Sequence, residues 1–131
     1  MDNLNRSKSW FKQAQNDLAW GKDSCKSGHY AQTCFISQQV SEKALKALAY
    51  HRNFDLVKSH SLAKIAKELG INGEIEKIAK KLDLYYIATR YPDSLPDMGV
   101  PSDYFDKDQA DEALGFAEII LNKVKEEISL K

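Results

Sequence analysis

A chain of 131 residues, 43% of them hydrophobic, has the length of one domain and enough apolar side chain to bury a core without metal or disulfide support. Its 19 Lys and Arg are balanced by 19 Asp and Glu, which argues against avid, non-specific attachment to a nucleic-acid backbone. The charged N-terminus "MDNLNRSKSWFKQAQND" has no signal-peptide core, and no apolar run approaches the roughly 20 residues that span a bilayer, so a soluble cytoplasmic protein without membrane association is expected.

From about Ser7 to Ser27, Trp10, Phe11, Ala14, Leu18 and Cys25 recur at helical steps and form one apolar face among Lys8, Lys12, Asp17 and Lys22. Gly28 is placed to end this helix, because glycine takes the left-handed conformation at low cost. A second helix is predicted over Tyr30 to His51, with Ala31, Cys34, Phe35, Val40, Ala44, Leu45, Leu48 and Ala49 inward and strong helix formers through its second half. A short helix follows near Ser61 to Leu69, stopped by Gly70, and Asn72 is placed to cap the next one. That fourth helix, about Gly73 to Thr89, carries Ile75, Ile78, Ala79, Leu82, Tyr86 and Thr89 on one face, and Pro92 requires it to end by Tyr91. The last helix begins near Asp106, where Gln109 completes a variant of the capping box, and buries Ala110, Ala113, Leu114, Ala117, Ile120, Leu121, Val124 and Ile128.

No strand pattern competes with these helices. The expected fold is all-α, a single domain over residues 1–131, folded as an up-and-down antiparallel bundle of four long helices plus one short helix. Alanines at 44, 47, 113 and 117 allow close helix approach. The segment 92–105 is longer than the usual connection of roughly 4–6 residues, and long loops more often carry function.

Charge is distributed unevenly, since residues 1–82 hold 14 Lys and Arg against 8 Asp and Glu, and residues 83–131 hold 5 against 11. A basic first half can form a local anion-binding surface, although solvated helix faces account for the same pattern. Cys25 and Cys34 have neither the number of a disulfide framework nor the close pairing of a metal motif, so two buried reduced thiols are expected. His29, His51 and His60 form no metal-binding helix motif, the aspartates between 93 and 112 lack the spacing of a calcium loop, and no glycine-rich phosphate loop occurs. Neither a metal nor a cofactor is therefore expected.

Two groups of residues invite a ligand. Gln39, Glu42, Lys43 and Lys46 share a polar flank of the second helix, where a routine surface pair between Glu42 and Lys46 competes with a binding role. Arg90 stands at a proline-terminated helix end between Tyr86 and Tyr91, where a guanidinium binds phosphate bidentately and a tyrosine offers a stacking face to a base. Arg90 equally offsets the negative end of the helix or pairs with Asp93.

The stretches "FISQQVSEKALKAL", "KSHSL" and "LDLYYIATRYPD", in this order and across nearly the whole chain, resemble the HEPN domain family of higher eukaryotes and prokaryotes. The resemblance implies a bundle of about four to five helices, a homodimer, and an association with a small nucleotidyltransferase in a toxin–antitoxin pair. Many members of that family are metal-independent RNases whose signature is an arginine followed after a few residues by a histidine. Here Arg90 is followed by Tyr91, Pro92, Asp93, Ser94, Leu95, Pro96 and Asp97, and no histidine occurs after His60. The group that would transfer protons is missing from the signature. The expectation is therefore a non-catalytic module that binds a nucleotide or RNA, or a nucleotidyltransferase partner, through Arg90, Tyr86, Tyr91 and Asp93, with Gln39, Glu42 and Lys43 alongside. The alternatives are a metal-independent RNase toxin with a degenerate site, in which His60 or Tyr91 moves the proton, and a dimerising scaffold without ligand.

Overall fold

Helix α1 spans Asn3–Lys26 and starts earlier than the sequence pattern predicts, because the side chain of Asp2 accepts the Asn5 amide at 2.8 Å and caps it. The structure, a computed structural model, describes residues 2–54, 58–91, 93, 95 and 99–129. Gly28 sits at φ 83°, as the turn requires, and donates its amide to the Cys25 carbonyl. Helix α2 then spans Tyr30–His51, the bounds expected from sequence. The two run antiparallel: Ser7 donates to the Ala47 carbonyl at 2.7 Å near one end. Near the other end Gly21 lies so close to Ile36 and to Leu114 of the last helix that an added Cβ would stand 3.2 and 3.1 Å from their methyl carbons.

Helix α2 is the centre of the bundle. Of its 22 residues 16 are buried, so it has no continuous face open to solvent. The hydroxyls of Thr33, Ser37 and Ser41 lie within that buried surface, and each donates to the carbonyl four residues earlier, at 2.8, 2.8 and 2.9 Å. Val40, Leu45 and Leu48 pack with Leu62 and Ile65 of α3 (Leu62–Glu68), Ile78 and Leu82 of α4 (Glu74–Asp83), and Ile120 and Val124 of the last helix. Each fully buried Leu or Ile contributes about 2 kcal/mol relative to exposure.

The fourth predicted helix forms one right-handed path but divides at Leu84. There the amide bonds to the Lys81 carbonyl, three residues back, and the chain continues as the short α5, Tyr85–Ala88. Its N-cap also differs from the prediction: Gly73 at φ 77° takes the cap position without a side-chain bond, so Asn72 does not serve as the cap. The cap of α3 comes partly from outside that helix. Asp83, at the end of α4, accepts the Leu62 amide at 2.8 Å, the Ala63 amide at 3.0 Å and the Ser61 hydroxyl at 2.9 Å.

After α5 the chain returns through a 3-10 turn at Pro101–Asp103, and Phe105 meets the Tyr85 ring edge-on at 5.7 Å. Pro92, Ser94 and the segment 96–98 of the long predicted loop lie outside the described residues. Helix α6, Lys107–Ser129, opens with the predicted capping box: Asp106 Oδ1 accepts the Gln109 amide at 2.8 Å, and Gln109 Oε1 accepts the Asp106 amide at 2.9 Å. It runs antiparallel to α1, through Cys25 with Asp111 and Lys22 with Glu118. Among the described residues there is no strand, and the fold is an all-α, up-and-down bundle with α1, α2 and α6 as its long helices.

Candidate functional site

Arg90 follows the C-terminal end of α5, where the last carbonyls of the helix need donors. Its Nε donates to the Tyr86 carbonyl at 2.9 Å, and the Thr89 hydroxyl donates to the Tyr85 carbonyl. The guanidinium carbon lies 4.4 Å from the centroid of Tyr86, 4.8 Å from that of Tyr91 and 5.0 Å from that of Phe35 on α2. Three rings and one carbonyl thus hold an exposed cation in place, and cation–π contact of this kind contributes about 0.5–1 kcal/mol at an exposed site. No ion pair joins Arg90 to Asp93 or to any other carboxylate among the described residues. Of the roles open to Arg90 in the sequence, capping the helix end is therefore realised and pairing with Asp93 is not.

The same Tyr86 ring lies nearly parallel to the imidazole of His60, with centroids 5.9 Å apart and planes 11° from parallel. His60 precedes α3, and Gln38 of α2 pins its backbone by donating to its carbonyl at 3.0 Å. Its Nδ1 lies 3.3 and 3.2 Å from the two carboxylate oxygens of Glu42. Glu42 in turn accepts from Lys46 Nζ at 2.9 Å, and Lys46 lies over the Trp10 ring at 5.3 Å. Glu42 and Lys46 are both buried, which corrects their reading as a routine surface pair: α1 on one side and the loop before α3 on the other close over this part of α2.

The polar flank predicted on α2 therefore divides. Glu42 turns to His60, whereas Lys43 turns to α1 and pairs with Asp17, itself buried and bonded by Gln13 at 2.9 Å. Gln39 donates to the Gln38 side chain at 2.8 Å and so touches the network only through it. Asp93 is exposed. A shallow pocket of about 160 Å³ lies on the His60 and Tyr86 rings, closed by Ser61, Asp83 and Ile87. A larger groove of about 620 Å³ runs between the start of α4 and α6, but its Arg52 is committed: two nitrogens bind Glu127 at 2.6 Å and a third binds the Leu69 carbonyl at 2.5 Å. The smaller pocket is the better site, because His60 and Tyr86 line it and the uncommitted guanidinium of Arg90 lies over that same Tyr86 ring.

Neither cysteine is activated as a nucleophile. Burial pushes the Cys34 thiol up to about 12, and Cys25, which is half-buried rather than buried as expected, is held above its ordinary value by desolvation and by Asp111. Among the described residues no group of three or more His, Cys, Asp and Glu is arranged to hold a metal ion.

The sequence matches the HEPN domain over residues 7–128. The chain belongs to the HEPN domain family. Its fold is similar to that of TT1696 from Thermus thermophilus, with a TM-score of 0.87 and 36% identity over 93% of this chain and 98% of the other. It is also similar to ST0689, an archaeal HEPN homologue, with a TM-score of 0.79 and 34% identity over 93% and 97% of the two chains. A sequence relative is "Putative toxin MJ1304" of Methanocaldococcus jannaschii, 26% identical over 95% of this chain and 89% of that protein.

Within this HEPN bundle, Arg90, Tyr86, Tyr91 and Glu42 come together as parts of one connected set, joined by Lys46 of the predicted flank, by Phe35, expected only as a core residue, and by His60, expected only as the proton carrier of the ribonuclease alternative. The usable signal for Lys46 was its spacing four residues after Glu42. His60 had no such signal, because 18 residues and a change of direction separate it from Glu42.

Proposed function

We propose that this HEPN chain is a non-catalytic, phosphate-recognising module of toxin–antitoxin type that binds a nucleotide or RNA at Arg90. The observation that carries the reading is the guanidinium of Arg90, exposed, anchored by one nitrogen to the Tyr86 carbonyl and packed on three aromatic rings without a carboxylate partner among the described residues. A guanidinium so held has lost its conformational freedom before the ligand arrives and keeps further N–H donors for a phosphate. Tyr86 and Tyr91 then supply faces for a base. Descent alongside a toxin-named relative supports the toxin–antitoxin setting, with a small nucleotidyltransferase as partner. Leu84 and Ile87, exposed next to the site, supply apolar surface for a homodimer contact.

Calorimetric titration of the protein with ATP, GTP and a short single-stranded RNA tests the proposal. At least one of them binds, Arg90→Ala loses about tenfold or more in affinity, and the RNA is recovered intact. Arg90-dependent cleavage of the RNA would replace the binding module with a ribonuclease, and indifference of every ligand to Arg90→Ala would remove Arg90 from the site.

A further inference from the structure

The binding reading accounts for Arg90 but leaves His60 unexplained. A loop histidine can be held in place by its backbone alone, and here the Gln38 side chain already does that. Yet the ring is also oriented, by a carboxylate on one edge and by Tyr86 on one face. Glu42 has 5% of its side chain exposed and His60 has 62%, so the network runs from the bundle interior outward to the pocket.

The protonation chemistry follows from the partners. A carboxylate already bonded to Lys46 acts as an acceptor, so it selects the imidazole tautomer that carries hydrogen on Nδ1. Nε2 is then the nitrogen that gains or loses the proton. The charged and titratable groups around the ring are Glu42 and Lys46 from α2, Asp83 from α4, Tyr86 from α5 and Arg90 just beyond it. Asp83 is occupied by the Ser61 hydroxyl and two amides, and Lys46 by Glu42. His60 and Arg90, sharing the Tyr86 ring, are left as the two groups able to meet an incoming anion.

We propose that His60 is a second phosphate-contacting residue of this site, oriented by Glu42, and that the site takes up a proton together with its ligand. The inference rests on the Arg90 reading. Neutral imidazole offers a lone pair at Nε2, which repels phosphate oxygen, whereas imidazolium donates a charge-assisted hydrogen bond to it. A ligand with more than one phosphate, a nucleoside triphosphate or an RNA backbone, is the class that can meet both groups across the Tyr86 ring they share. Bound phosphate favours the protonated ring, so binding is linked to proton uptake and affinity falls as pH rises.

The test is titration calorimetry with ATP and, separately, a short RNA, each across a pH series and in two buffers of different ionisation heat. For whichever ligand binds, the parent protein takes up as much as one proton per site. His60→Gln weakens binding about tenfold on the acidic side and abolishes the proton uptake and the pH dependence with the RNA, leaving with ATP only what its own terminal phosphate contributes. A purely structural histidine would leave the proton count unchanged. Equal affinity and equal pH dependence in the parent and His60→Gln, with binding still lost in Arg90→Ala, would overturn this inference and leave the Arg90 reading standing. Failure of the parent to bind either ligand would overturn both.

Discussion

Glu42, almost closed to solvent, lies 3.2 Å from Nδ1 of His60, whose side chain is mostly exposed. A single buried carboxylate therefore joins an interior ammonium, Lys46, to a ring at the edge of the candidate pocket. Burial makes that link consequential, because neither ion can fall back on water if its partner is removed.

Lys46→Met leaves Glu42 in the interior with only the His60 ring, and Glu42→Gln leaves the Lys46 ammonium there without a counter-charge. Each is expected to lose about 3 kcal/mol in urea unfolding. The double variant Glu42→Leu/Lys46→Met removes both ions and is expected to recover most of that loss. Single variants as stable as the parent would mean that water reaches the pair.

Asp83 caps a helix other than its own. Asp83→Ala removes the acceptor of two α3 amides and of the Ser61 hydroxyl, and is expected to cost about 2 kcal/mol and to speed hydrogen exchange at Leu62 and Ala63. Unchanged exchange at those two amides would contradict the capping role.

Much of the bundle was legible in the sequence because its signals are local. The bounds of α2, the left-handed Gly28 and the Asp106–Gln109 box all depend on residues within a turn of one another. The break at Leu84 was not legible, since the apolar pattern of Ile75, Ile78, Ala79, Leu82 and Tyr86 runs across it, and the cap at Gly73 was not, since the neighbouring Asn72 has the side chain that ordinarily caps. Burial of Glu42 and Lys46 was hidden for another reason. Periodicity marks the most apolar face of a helix, but it cannot show that other elements cover the polar faces as well. Arg90 and its tyrosines could be chosen from one stretch of sequence, whereas the approach of His60 to Glu42 exists only once the chain between them has folded back.

Arg52 joins the end of α2 to α6 through Glu127, and its hydrogen bonds hold the Glu127 carboxyl below the ordinary carboxylate range, partly opposed by burial. The folded pKa is depressed, so the stabilisation is complete above the ordinary Glu value and is lost as pH falls through the lower folded value. With about a third of each side chain exposed, solvent screening limits it to about 1 kcal/mol. Glu127→Gln is expected to lose this amount at neutral pH and to flatten the acid limb of a plot of stability against pH. An acid limb identical to the parent's would contradict the assignment.

Cys34 is buried, with a thiol pushed up to about 12, so the thiolate that reacts with alkylating agents is scarce at neutral pH. Iodoacetamide is expected to label Cys25 slowly in the native protein and Cys34 only after denaturation, as read by peptide mass spectrometry. Rapid native labelling of Cys34 would contradict the packing of α2.

Phosphate recognition by Arg90 is tested by the affinity of the parent and of Arg90→Ala for ATP, GTP and a short RNA under identical salt. The parent is expected to bind at least one of these and the variant to lose about tenfold or more in affinity, while the unliganded variant, without the Arg90 ring contacts, melts only a few degrees lower. Equal affinities in the two proteins would contradict it.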